Sequence, residues 1–163
     1  MLAAASCTVI SQQVRSEAES PAVPFRDLIE AANTYYGRTV ILGGYILETR
    51  NLESETVLKI LQVPLQFGEE PATKDRSQGR FIVYYKGFLD PEVYKKDRVI
   101  TVAGIVIGTV VEKIGDNRIQ YLEIENREIY LWPDYKRPPP FFYHRRYPYY
   151  RHYDPFYGYP YWY

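Results

Sequence analysis

Residues 79–108, GRFIVYYKGFLDPEVYKKDRVITVAGIVIG, place a strand, a capped helical turn and a second strand in direct succession. Residues 81–85 are β-branched or aromatic and read as a strand. Asp90 followed by Pro91 matches a helix N-cap and first helical position, because Asp accepts from the freed N–H groups and proline has none to lose. The predicted helix is brief. Residues 98–114 then form a long strand in which Gly104 and Gly108 permit strong curvature.

Upstream of this stretch, Phe25, Leu28, Ile29 and Ala32 fall at helical spacing behind Pro24, with Gly37 beyond the end, which predicts a short helix over 25–33. A strand is expected over 38–49, with the Gly43-Gly44 pair marking a bulge or sharp bend. Residues 56–65 alternate, with Val57, Lys59, Leu61 and Val63 on one side and Leu58, Ile60 and Gln62 on the other. Residues 66–78 show no apolar period and read as a surface loop. Downstream, Gly115-Asp116-Asn117 reverses the chain into a fifth strand region over 119–132, broken near Asn126. The predicted fold is therefore mainly β. Five strands with a helix between the third and fourth, plus an N-terminal helix, match the order of an OB-fold, a small Greek-key barrel.

The 163 residues suit one domain with ends to spare. Twenty basic and twenty acidic residues cancel, and the first 132 positions hold fifteen basic against eighteen acidic, so the body opposes a polyanionic partner. The longest apolar run, 102–111, is far short of the ~20 residues of a membrane-spanning helix. A single cysteine, Cys7, excludes an intrachain disulfide and a cysteine-rich zinc site.

Around that cysteine, Ala4-Ala5-Ser6-Cys7 looks like a bacterial lipobox, the signal in which the thiol receives diacylglycerol and becomes the first mature residue. Leu2 stands five places before the cysteine, where such signals commonly have leucine three places before it. On residues 1–7 alone, the alternative is a frayed terminus of small residues. Thr8 follows the cysteine; an aspartate there resembles the inner-membrane retention signal, so its absence favours the outer membrane. Residues 8–24 are polar and small and are expected to be a flexible tether to a domain over 25–132.

Several short pieces within that domain occur in an order with a known counterpart. Tyr36-Gly37-Arg38, Gly43-Gly44-Tyr45-Ile46, Val63-Pro64-Leu65, Gly79-Arg80-Phe81, Gly87-Phe88-Leu89-Asp90-Pro91, Val102-Ala103-Gly104 and Leu131-Trp132 resemble the Slp family of Gram-negative outer-membrane lipoproteins. The resemblance implies lipidation at Cys7, attachment to the periplasmic face of the outer membrane, and an association with starvation and stress.

No catalytic constellation stands out, and the chain is expected not to be an enzyme and to need no cofactor. His144, His152 and Asp154 sit in a proline-rich tail that would not hold ligand geometry, so no metal site is expected. Glu123 and Glu125 alternate with apolar residues and read as the wet face of a strand, Glu69-Glu70 lie in the loop, and Asp90 is a cap. An OB-type face invites a second reading, a binding module for an oligosaccharide or nucleic acid, with Lys59, Arg80, Tyr84 and Tyr85 as candidates. Nucleic acid is the less favoured of the two ligands.

The tail, 133–163, holds ten tyrosines, three phenylalanines, seven prolines and four arginines. Proline denies it helix and central strand, so an extended segment is expected. Arg145, Arg146 and Arg151 beside Tyr147, Tyr149 and Tyr150 suggest contact with anionic glycans or lipid headgroups. Lipopolysaccharide, peptidoglycan and envelope proteins are the candidate partners. The favoured reading of 133–163 is a low-complexity, disordered end, with the surface contact as its alternative.

Overall fold

A computed structural model of the chain describes residues 8–19 and 23–134. Cys7, His144, His152, Asp154 and the tail residues Arg145, Arg146, Tyr147, Tyr149, Tyr150 and Arg151 lie outside the described residues. Two short helices, α1 (Gln12–Glu17) and α2 (Phe25–Glu30), precede five strands. These are β1 (Thr39–Asn51), β2 (Glu55–Val63), β3 (Gly79–Lys86), β4 (Val99–Ile114) and β5 (Asn117–Leu131). They close into a barrel in the order β1-β2-β3-β5-β4 and back to β1. All pairs are antiparallel except β3 with β5, which runs parallel. The expected mainly β, OB-like five-stranded barrel with an N-terminal helix is therefore present.

Alternation places Val40, Leu42, Ile46, Leu58, Ile60, Phe81, Val83, Ile100, Val102, Val106, Leu122 and Ile124 inside, where α2 adds Phe25 and Leu28. Phe25 packs against Phe81 with ring centroids 6.3 Å apart, so the helix plugs the barrel near the start of β3.

Three local expectations are corrected. The helix predicted between β3 and β4 is a single capped turn: Glu92 N–H donates to Asp90 Oδ1 at 2.8 Å, and Val93 and Tyr94 N–H donate to the Asp90 carbonyl. A separate turn from Lys95 to Arg98, with Asp97 at φ +71°, follows before β4, so the first turn does not grow into a helix. The Gly43-Gly44 pair is not a bulge, because the β1–β2 register runs unbroken through it and shifts only between Ile46 and Glu48. A side chain at Gly44 would instead collide with the Leu61 carbonyl. The break expected near Asn126 is a bulge in a continuous strand, where Ala103 pairs with Glu128 and Gly104 with Asn126. The extra residue, Arg127, switches the inward parity of β5 from Leu122 and Ile124 to Ile129 and Leu131.

A fourth correction concerns the expected tether. Residues 8–19 are docked on the barrel as a strap. Ile10 is buried, Ala18 bridges to Thr39, and Glu19 N–H donates to the Thr39 carbonyl at 2.9 Å. Backbone donors satisfied by side chains from elsewhere in the fold, with one well-placed isoleucine, hold a segment whose composition alone predicts disorder.

Candidate functional site: an open cleft and a latched strap

The outer surface of β2 and β3 carries the first set of candidates. Lys59 pairs with Ile82, Ile82 with Glu123, and Glu123 with Gly108, so these four residues form one row across β2, β3, β5 and β4. Glu112 lies four residues beyond Gly108, yet its carboxylate accepts from Lys59 Nζ at 2.6 Å. The β4–β5 hairpin must therefore curl over the outer face to make that contact. A register shift between Val106 and Gly108 supplies the bend. Ile82, which points away from the core, is buried beneath the curled hairpin.

The ion pairs continue as a chain. Lys59 Nζ is 3.5 Å from Glu48, which accepts from Arg50 at 2.8 Å. The neighbouring Arg50 holds the Glu48 carboxyl below its usual value, with a smaller contribution from Lys59. Hydrogen bonding to Glu112 raises Lys59. Tyr84 donates to Glu123 at 2.6 Å, and burial together with that bond pushes its phenol up to about 12. Lys86 pairs with Glu125 at 2.6 Å. Three hollows adjoin this network: about 380 Å³ beside Tyr84, Lys86, Glu123 and Glu125, about 180 Å³ between Leu52, Ile82 and Glu112, and about 280 Å³ beside Arg80, Lys113 and Tyr121.

The four candidates for an OB-type face are thus divided. Lys59, Arg80 and Tyr84 line the cleft, whereas Tyr85 packs against the core on the other side of β3. Glu48, Glu55, Glu112, Glu123 and Glu125 also line the hollows. That carboxylate lining disfavours a nucleic acid backbone and suits a ligand of hydroxyl groups. Glu123 and Glu125 lie on the wet face, as their alternation implies, and each is occupied by a partner. Asp90 is the cap. Among the described residues, no three His, Cys, Asp or Glu side chains gather to hold a metal ion.

The second set surrounds Glu69. This residue sits in the β2–β3 loop within a 3-10 turn, Phe67–Glu69, directly after Gly68; both Gly68 and Glu69 have positive φ, +75° and +65°. A non-glycine residue in that conformation costs about 1–2 kcal/mol. The geometry turns the Glu69 carboxylate onto the strap, where Oε2 accepts from Val9 N–H at 3.0 Å and Ile10 N–H at 2.9 Å, while Oε1 pairs with Arg15. Ser11 is held by Glu128, and Arg127 pairs with Glu17. The Glu69 carbonyl accepts from Thr101 Oγ1 at 2.8 Å, and that oxygen accepts from Trp132 Nε1–H at 2.9 Å. One clasp therefore joins the start of the described chain to its end. Phe67, two residues from Glu69, is 96% exposed. Residue-by-residue reading assigned Glu69 to a loop and missed the clasp; the Val9-Ile10 apolar pair just ahead of Ser11 was the available signal.

Comparison with known proteins decides the family. The sequence pattern of the outer membrane lipoprotein Slp family matches residues 4–163. The chain belongs to this family. The relatives of this Slp-family chain include the outer membrane protein Slp of Escherichia coli, 26% identical over 78% of this chain and 68% of that protein. The uncharacterized lipoprotein YeaY of Escherichia coli is 27% identical over 73% of this chain and 61% of its own length. An uncharacterized protein of Haemophilus influenzae is 34% identical over 66% of this chain and 59% of its own length. The Slp-family chain thus spans about three fifths of the length of these last two relatives. Among solved structures, an OBody bound to hen egg-white lysozyme aligns with 60% of this chain and 84% of its own, at 16% identity and a TM-score of 0.39. No described helix is long and apolar enough to cross a membrane.

Proposed function

We propose that the chain is a lipid-anchored protein on the periplasmic face of the outer membrane, held by acyl chains on Cys7. It acts by interaction and not by catalysis, in maintaining the envelope under starvation or stress. The observation that carries this reading is the match of residues 4–163 to a family of outer membrane lipoproteins, a span that takes in Ala4-Ala5-Ser6-Cys7. Acyl chains supply about 0.8 kcal/mol of membrane affinity per buried CH₂, so the anchor needs no spanning helix. The sequence of Arg145, Arg146 and Arg151, with Tyr147, Tyr149 and Tyr150, supplies cationic and aromatic groups suited to lipopolysaccharide, peptidoglycan or an envelope protein.

The test is fractionation of a Cys7→Ala form expressed with its full signal. The reading expects the protein to move from the membrane to the soluble periplasmic fraction; retention in the membrane contradicts it. Removing residues 138–163 should weaken association with lipopolysaccharide, and unchanged binding would end the role given to the tail.

A second reading rests on the cleft. Its hollows, its Tyr84 ring and its carboxylates fit a hydroxyl-rich oligosaccharide, which Tyr84→Ala would weaken in a glycan-binding assay.

A further inference from the structure

We infer that the barrel is seated directly on the bilayer by its Glu69 clasp, with Phe67 immersed in the lipid interface. This rests on the proposed acylation of Cys7. The reason is chain length. Val9 and Ile10 are fixed to Glu69 by their backbone N–H groups. Only Thr8 stands between Cys7 and the fixed Val9, and two residue steps reach at most about 7 Å. A lipid-bearing Cys7 therefore cannot lie far from the clasp, and the expected leash of 8–24 has no slack to offer. The surface carrying the clasp must lie against the headgroups.

Phe67 belongs to that surface. It protrudes from the same 3-10 turn as Glu69, with 96% of its area exposed. In a soluble setting such a phenylalanine has nothing to pack against; beside an acyl anchor it meets the layer where aromatic rings are favoured. The other end of the clasp supports the same occupant. Trp132 donates to Thr101, which donates to Glu69, so the chain leaves the clasp at Pro133 and continues into the sequence richest in tyrosine and arginine. That composition suits anionic headgroups. Phe88, 71% exposed, makes an internal contrast. It follows the far end of β3, whereas the loop carrying Phe67 enters at the near end, and the eight residues of β3 separate the two by roughly 26 Å.

The experiment uses the full chain, acylated at Cys7, in vesicles of phosphatidylethanolamine and phosphatidylglycerol. Because Cys7 is the sole cysteine and its thiol is consumed by the lipid, Phe67→Cys or Phe88→Cys supplies one free thiol for an environment-sensitive fluorophore. Both positions are exposed, so neither substitution disturbs the core. Position 67 is expected to be quenched several-fold more by bilayer-embedded nitroxide than position 88, and to be shielded from aqueous iodide. A flexible glycine-serine spacer inserted between Cys7 and Thr8 should abolish that difference while the protein still floats with the vesicles. If the protein floats but positions 67 and 88 respond alike, seating is overturned and the anchor stands. If the spacer leaves the difference unchanged, the short lead is not what seats the barrel, and the inference fails. If the acylated chain does not float, the anchor and the seating fall together.

Discussion

The two outer faces of this barrel are treated in opposite ways by the same chain. Over β1 and β4, the strap and the β2–β3 loop cover the sheet. Leu65 and Pro71 occupy the space a side chain at Gly43 would need, Tyr45 donates to the Ala72 carbonyl, and Ile10 is buried. Over β2 and β3, the curled hairpin covers Ile82 but leaves hollows on either side, bordered by paired charges. The covered face is held by backbone N–H groups, apolar side chains and the Arg15–Glu69 and Arg127–Glu17 pairs, with a hollow of about 280 Å³ beside Phe25, Gly43 and Leu65; its backbone and apolar contacts are ones water cannot replace without cost. The cleft is bordered by partly exposed ion pairs, whose members can exchange a partner for a ligand at little loss. The two sides of one small core thus differ in how much of their polar surface is tied to the backbone.

The sharpest way to break this contrast is to open the sealed face. Ile10→Ala should cost about 2–5 kcal/mol by denaturant unfolding, as for a fully buried isoleucine, while the Tyr84 titration in the cleft stays as it was. Glu69→Gln keeps the shape of the latch but removes its charge. It should cost about 1–3 kcal/mol and expose residues 8–19 to limited proteolysis before the barrel unfolds. On the cleft side, Lys59→Met should change stability by no more than about 1 kcal/mol, because the pairs it breaks are partly exposed. Its effect should appear instead as faster proteolysis at Ile114–Asn117, since the Glu112 contact that holds the hairpin down is gone.

The smallest effect is on pH dependence. The Tyr84 phenol is raised in the folded state, so the fold binds that proton more tightly than the unfolded chain does. The associated stability is fully present below the ordinary value of 10.0 and is lost as pH rises towards about 12. Alkaline thermal melts of Tyr84→Phe should lack that component of the decline, and at neutral pH the variant should already lie below the parent by no more than about 1 kcal/mol, the hydrogen bond to Glu123 being gone.

Most of the barrel was legible because its strands obey a period of two and their ends carry turn residues. β2 shows this plainly, with Leu58 and Ile60 inside and Lys59 outside. Gly104 was read as a point of curvature, and the register shifts there; a side chain at that position would also meet the Glu125 carbonyl and Ile124. What composition could not show was any structure made by distant pairs. The strap looks like a tether because its stability comes from Glu69, some sixty positions away in sequence. Tyr85 was assigned to the binding face beside Tyr84, although adjacent strand residues must point to opposite sides. The curl of the β4–β5 hairpin follows from a one-residue register shift at Ile107, beside Gly108, where curvature was expected; what the sequence could not show is that the curl brings Glu112 onto Lys59.

The sealed strap is the feature on which the contrast between the faces and the seating of the barrel both depend. Amide hydrogen exchange at Val9 and Ile10 measures it directly in the full chain. With both N–H groups held by the Glu69 carboxylate, exchange should be slower by orders of magnitude than in an unstructured peptide, and Glu69→Gln should speed it. Exchange at the unstructured rate in the parent protein would show that residues 8–19 are a leash after all, and would contradict the account.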